Sequence, residues 1–441
     1  MAREKGVLLR FPIPSRESSL ALASEVSLQE VEREDFTHHS DSAPPSHNDQ
    51  NQGGSQYDGV FDRLSKRIEM GDAVASNERL DAPVRYAELA ACPLKIRLEK
   101  IEGDDNYHSY LLAEMMLERC REATPDELEQ AFDAVTTSIE IAQRLDEVTY
   151  GQELKLGLVV KSWAFLGNVL RHRGDLAAAE EAFRRVDALV HQLPAESSER
   201  VEALSLKASL LNDQNRFDEA RSLLEDLVRS HRRNEDAYQL GKSLIKLGLV
   251  QGEMGDVEGA IKSQLESLHV LRDFGDDHLS SLALANLARA LEDSGRSEEA
   301  LKFLDQAGDL MERCGSLGNR ARLRWLEGRI AASLGQPERA EEAFKFAHRF
   351  FSERAIDIEA ASACLDLALL YARANRVSEI KQLAAEIVPV FQRQGLDREV
   401  MAALILFQHA AEKEIATLGL LQEIASYLKR TQEQPGAASR S

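Results

Sequence analysis

Arg322, Trp325 and Arg329 stand at i, i+3 and i+7 in the run Arg322–Arg329 (RLRWLEGR). On a helix that spacing puts all three on one face. A guanidinium pairs with carboxylates through two parallel hydrogen bonds. A Trp beside Arg is a common composition for a protein-binding hot spot. The chemistry on offer is recognition of an acidic group next to an apolar surface. The structural alternative is that Trp325 packs between neighbouring helices while the arginines bond to nearby Glu.

Catalytic chemistry is harder to find. No nucleophile–base constellation is visible. His108 lacks a motif partner, and scattered Glu pairs read as solvated helix faces. Asp236–Ser243 (DAYQLGKS) ends like a phosphate loop, but it begins with Asp236 rather than Gly and follows no strand. Arg229, His231, Arg232 and Arg233 read as a helix end that complements the helix dipole. Cys92, Cys120, Cys314 and Cys364 lie far apart without a CxxC pair, which argues for a reducing compartment and against a zinc ribbon or disulfide frame. His38, His39 and His47 have no further ligands around them. We expect no catalytic residues, no metal and no cofactor.

The elements that would position the Arg/Trp face repeat along the chain. Gly174, Asn215, Gly255, Gly295, Gly335 and Asn375 each precede by five residues a small or aliphatic anchor: Ala179, Ala220, Ala260, Ala300, Ala340 and Ile380. The first step between anchors is 41 residues and each later one is 40. Leu244, Leu247 and Val250 recur at helical spacing, the pattern breaks at Gly255-Asp256, and it resumes through Ala260, Ile261, Leu265 and Leu268. Each unit therefore reads as two helices joined by a tight turn. Gly and Asn enter the left-handed backbone region cheaply and end the first helix. Asp175 and Asp256 follow where they can cap the second. One such pair cannot bury its apolar face alone, so the units must stack.

The units resemble tetratricopeptide repeats. The resemblance is carried by Trp163, Leu166, Gly167, Ala179 and Phe183, by Leu247, Gly248 and Ala260, and by Gly328, Ala340, Phe344 and Ala347. It covers about residues 160–390, with a degenerate earlier unit around His108–Ala142 carrying Ala131. The period exceeds the usual 34 residues, and the closing Pro is mostly missing, with Pro194 the nearest case. The runs Arg322–Arg329 and Arg398–Phe407 (REVMAALILF) are also similar to a group of bacterial repeat proteins of no assigned activity. The resemblance implies an all-α, right-handed solenoid with a period near 40 residues and helical caps at both ends.

It also implies that the first helix of each pair lines a concave groove. Carried over residue by residue, Arg289, Arg322, Trp325, Arg329 and Arg373 then face the groove, and Trp163, one helical position away from the Trp325 slot, takes the packing role. A second basic patch is Lys161, Asn168, Arg171, His172, Lys242 and Lys246. Asn168, Lys242 and Lys246 match a clamp that some tetratricopeptide proteins use for a C-terminal carboxylate. Ala164 and Leu206 occupy two of its five slots, and solvated helix charge is the competing reading.

Lys and Arg number 54 against 75 Asp and Glu, a net charge of −21 that disfavours phosphate backbones and anionic membranes. Arg85–Lys100 (RYAELAACPLKIRLEK) is the nearest approach to a DNA-reading helix-turn-helix, but it lacks the turn Gly and carries Pro93. No apolar run reaches transmembrane length, and Arg10 and Pro12 spoil a signal peptide. We expect a cytoplasmic protein organised as a disordered segment (1–57), an irregular helical cap (58–123), a solenoid (124–397), C-terminal capping helices (398–430) and a loose tail (431–441). Its expected role is an interaction scaffold that takes a peptide or partner domain, acidic or carboxylate-bearing, in the groove. The alternative is a regulator that senses a peptide or small ligand and acts through protein contacts. No nucleic-acid or membrane partner is expected, and oligomeric state is left open.

Overall fold

The computed structural model describes residues 72–123, 127–354, 356–392, 419, 421 and 422. The expectations for 1–57, for the first part of the N-terminal cap (58–71), for the C-terminal capping helices (398–430) apart from 419, 421 and 422, and for 431–441 lie outside the described residues. Within the described residues every regular element is helical. The first helices are α1 (Asp72–Ala90), α2 (Leu94–Gly103), α3 (Tyr110–Glu122), α4 (Leu128–Arg144) and the single turn α5 (Glu147–Tyr150). Six antiparallel pairs follow. They are α6 (Gln152–His172) with α7 (Leu176–Leu189), α8 (Ser198–Asp213) with α9 (Phe217–Arg233), α10 (Ala237–Glu253) with α11 (Val257–Leu271), α12 (Asp277–Asp293) with α13 (Ser297–Cys314), α14 (Leu317–Ser333) with α15 (Pro337–Glu353), and α16 (Asp357–Arg373) with α17 (Val377–Gln392). α3 and α4 pack as an earlier pair in which Ala131 is buried. The expected boundary at 123/124 therefore falls between two partner helices.

The turn inside each pair is the same device six times. Gly174, Asn215, Gly255, Gly295, Gly335 and Asn375 all have positive φ, between 54° and 82°. That conformation lets the next N–H reach back along the finished helix. Asp175, Arg216, Asp256, Arg296, Gln336 and Arg376 donate to the carbonyls of Leu170, Leu211, Gln251, Leu291, Ala331 and Tyr371 at 2.9–3.0 Å. Asp175 and Asp256 then cap the following helix by accepting from Ala178 and Gly259 backbone N–H groups. Asp236 caps α10 in the same way, so DAYQLGKS is a helix start. Its Gly241 lies against Leu271 and its Ser243 is buried.

Packing explains the anchors. All six are buried, because the two helices of a pair cross at that point. Facing them, Gly167 and Gly328 leave room for Phe183 and Phe344: a Cβ on either glycine would meet the ring at 2.5–2.6 Å. Successive pairs share core, and one continuous apolar cluster runs from α10 to α17 and includes Leu421. At the other end, Glu78 of α1 accepts from the backbone N–H groups of Tyr110 and Leu111 and from the Tyr150 hydroxyl, which ties α1 to the start of α3.

Candidate functional site

The first helices of successive pairs are joined by polar rungs. Glu253 of α10 accepts from Arg289 of α12 at 2.7 Å, and Asp293 of α12 accepts from Arg329 of α14 at 2.9 Å. Both acids and both arginines are 40 residues apart, so this is one rung repeated. Asp213, one further period back, instead accepts from Arg171 of α6 at 2.8 Å. Arg322 of α14 donates to Glu359 of α16 at 2.8 Å. Lys246 of α10 donates to the Ser205 carbonyl at 3.0 Å and its hydroxyl at 2.7 Å.

The rungs correct part of the expected groove face. Trp325 is 1% exposed, lies edge-on to Phe351 at 6.1 Å and donates to Asp366 at 2.7 Å. It belongs to the core between α14 and α16. Trp163, expected in the packing slot, is partly buried with the Arg185 guanidinium 4.6 Å above its ring. The one-residue offset between the two Trp rotates their directions by about 100°. Trp163 turns to its own partner helix α7, and Trp325 turns to the next first helix. Arg289 and Arg329 are likewise buried in their ion pairs rather than offered free. Arg373 is exposed at the end of α16.

Electrostatics follow from this burial. Burial opposes the Arg329 charge, but the Asp293 and Asp366 carboxylates outweigh it and hold the guanidinium above its usual range. Asp366 is pushed up by burial against the pull of Arg329 and Trp325. Near the N-terminal end, Arg121 donates to Glu118 and Glu202 at 2.8 Å, and Lys161 donates to Glu114 at 2.7 Å. Burial opposes the Glu202 charge, but Arg121, Lys161 and Lys242 hold its carboxyl down at about 2. Lys161 is thus a buried ion-pair partner, and Lys242 sits over the Tyr238 ring at 5.6 Å.

Five expected residues do come together, His172 beside the four named next. Asn168, Arg171, Lys246 and Arg322 line one cavity of about 1160 Å³, although they come from units one, three and five. Its lining comes from α3, α4, α6, α8, α9 and α10 and from α14, α15, α16 and the Gly315-Ser316 turn. Arg121, Arg173, Asn212, Phe350 and Arg354 line it as well and were not singled out from the sequence. The charged lining is six cations (Arg121, Arg171, Arg173, Lys246, Arg322, Arg354) against three carboxylates (Glu129, Asp213, Glu359), in a chain of net charge −21. Two of its polar side chains have hydrogen-bonding capacity unspent. The Nε and Nη1 of Arg322 and the Oδ1 of Asn212 are buried without a partner. Phe165 and Phe350 add aromatic surface, with the Arg121 and Arg354 guanidinium groups 4.8 and 3.9 Å from the respective ring centroids.

A stack of helix pairs around a cation-lined cavity defines the class: an all-α repeat solenoid. Models of the tetratricopeptide repeat match residues 162–185, 201–234 and 239–313, so the chain carries tetratricopeptide repeats there. It is similar to a Rap protein solved in complex with Competence and Sporulation Factor, at 15% identity and a TM-score of 0.55, over 77% of this chain and 87% of that one. It is also similar to aspartyl phosphate phosphatase F from Bacillus subtilis (14% identity, 77% and 88% covered, TM-score 0.49). A third similar structure is the kinesin light chain-like repeat protein of Podosopora anserina (18%, 44% and 96%, TM-score 0.36). At these identities the likeness is one of fold. No curated protein matches the sequence. Among the described residues no helix is long and apolar enough to cross a membrane.

Proposed function

We propose that the protein is a non-catalytic interaction scaffold whose cavity takes an extended acidic peptide segment of a partner. The observation that carries this reading is the lining: a cation excess concentrated inside a strongly acidic chain, beside aromatic walls. Charge of one sign in a walled cleft raises the local concentration of the opposite charge. The preformed wall lowers the ordering cost of binding.

The test is fluorescence anisotropy with labelled peptides of equal length and acidic, neutral or basic sequence. Acidic peptides should bind at least tenfold tighter than basic ones, and the difference should shrink with salt. Equal affinity across the three would refute the reading.

A sensing regulator is the alternative. The fold likeness to a Rap protein whose structure holds Competence and Sporulation Factor motivates it. That role requires the solenoid to change shape with its ligand, so an unchanged radius of gyration by small-angle scattering on saturation would exclude it.

A further inference from the structure

The cavity reading leaves its occupant to be named, and this chain carries a candidate of matching chemistry. Residues 25–36 read EVSLQEVEREDF. The stretch holds five carboxylates (Glu25, Glu30, Glu32, Glu34, Asp35) against one cation, Arg33, with apolar Val26, Leu28, Val31 and Phe36 between them. The cavity offers the complement: six cations against three carboxylates, and the rings of Phe165 and Phe350. Reach does not exclude the match. The 36 residues from Phe36 to the start of α1 at Asp72 extend to at most about 130 Å.

Resting on the cavity reading above, we infer that residues 25–36 occupy the cation-lined cavity of their own chain and compete with a partner's acidic segment. A tethered ligand acts at an effective concentration on the order of 1 mM. A segment whose free affinity is about 0.1 mM therefore weakens any competitor roughly tenfold. A partner must then either bind tightly or arrive in high local concentration.

The experiment uses the full chain and a labelled synthetic peptide of residues 25–36, read by anisotropy. The peptide is titrated into the wild-type chain and into the full-length Glu30→Gln/Glu32→Gln/Glu34→Gln/Asp35→Asn variant. Neutralising the tethered copy should tighten peptide binding about tenfold. Adding Arg173→Glu and Arg354→Glu to that variant should abolish the gain. Both arginines are exposed and line the cavity, and circular dichroism checks that the variant keeps its fold. Equal affinity for wild type and neutralised chain would overturn self-occupancy while leaving the cavity reading intact. Peptide binding that survives the Arg173/Arg354 reversal would place the segment elsewhere and also overturn it. No binding of this peptide, with unrelated acidic peptides still binding, removes the segment alone. No binding of any acidic peptide removes both readings.

Discussion

Trp325→Ala separates an interior tryptophan from a surface hot spot. The side chain is 1% exposed, and its indole N–H donates to Asp366 at 2.7 Å. Truncating a buried aromatic to Ala costs about 3–5 kcal/mol through lost burial and the cavity left behind. Trp325→Phe keeps most of the apolar volume and loses the hydrogen bond to a carboxyl, which costs about 1.5–3 kcal/mol. Solenoid units couple mainly to their neighbours, so the loss should be concentrated in α14 to α16. Native-state hydrogen exchange is the assay. Opening free energies in α14 and α16 should fall by those amounts, and those in α6 and α7 should barely move. Fluorescence supplies a second readout, since the chain has two Trp. In Trp163→Phe the remaining indole should emit to the blue and resist acrylamide quenching. A change under about 1 kcal/mol in α14 and α16 for Trp325→Ala, or ready quenching, would refute the interior assignment.

Other outcomes follow from the rungs, the turns and the titrating groups. Arg289→Met strands Glu253 in a partly buried setting and should cost up to about 3 kcal/mol by urea denaturation, whereas Arg289→Met/Glu253→Met should recover most of it. Glu202 titrates near 2 in the fold instead of 4.5, so it contributes stability above pH 4.5 that is lost as pH falls toward 2. Acid titration followed by circular dichroism should show a shallower loss of structure over that window in Glu202→Gln. Asp366 works the other way: its raised value means stability declines as pH rises through it, and Asp366→Asn should flatten that decline. Glu235 holds φ at 55° without being Gly or Asn, so Glu235→Gly should raise stability by about 0.5–1 kcal/mol, read as a higher urea midpoint. Gly255→Ala, at φ 79°, should lower stability by about 1–2 kcal/mol.

What could be read from the chain alone was local. The six Gly/Asn slots, the buried anchors, and the Asp175 and Asp256 caps needed only the spacing of residues within one unit and the steric freedom of Gly and Asn. Their repetition in steps of 40 then specifies a stack of helix pairs, because one pair cannot bury its own face. The rungs were half legible. Glu253 and Asp293 stand in the same step as Arg289 and Arg329, and that matched spacing of opposite charges was a signal for pairing across units rather than for a ligand. Which way Trp325 points was not legible, because its partner Asp366 lies 41 residues away on the next first helix. Nor was the meeting of Asn168, Arg171 and Lys246 with Arg322 in one cavity. That depends on how the small rotation between neighbouring pairs accumulates along the stack, and many side chains at every interface set it together. Only the tertiary structure sums those rotations.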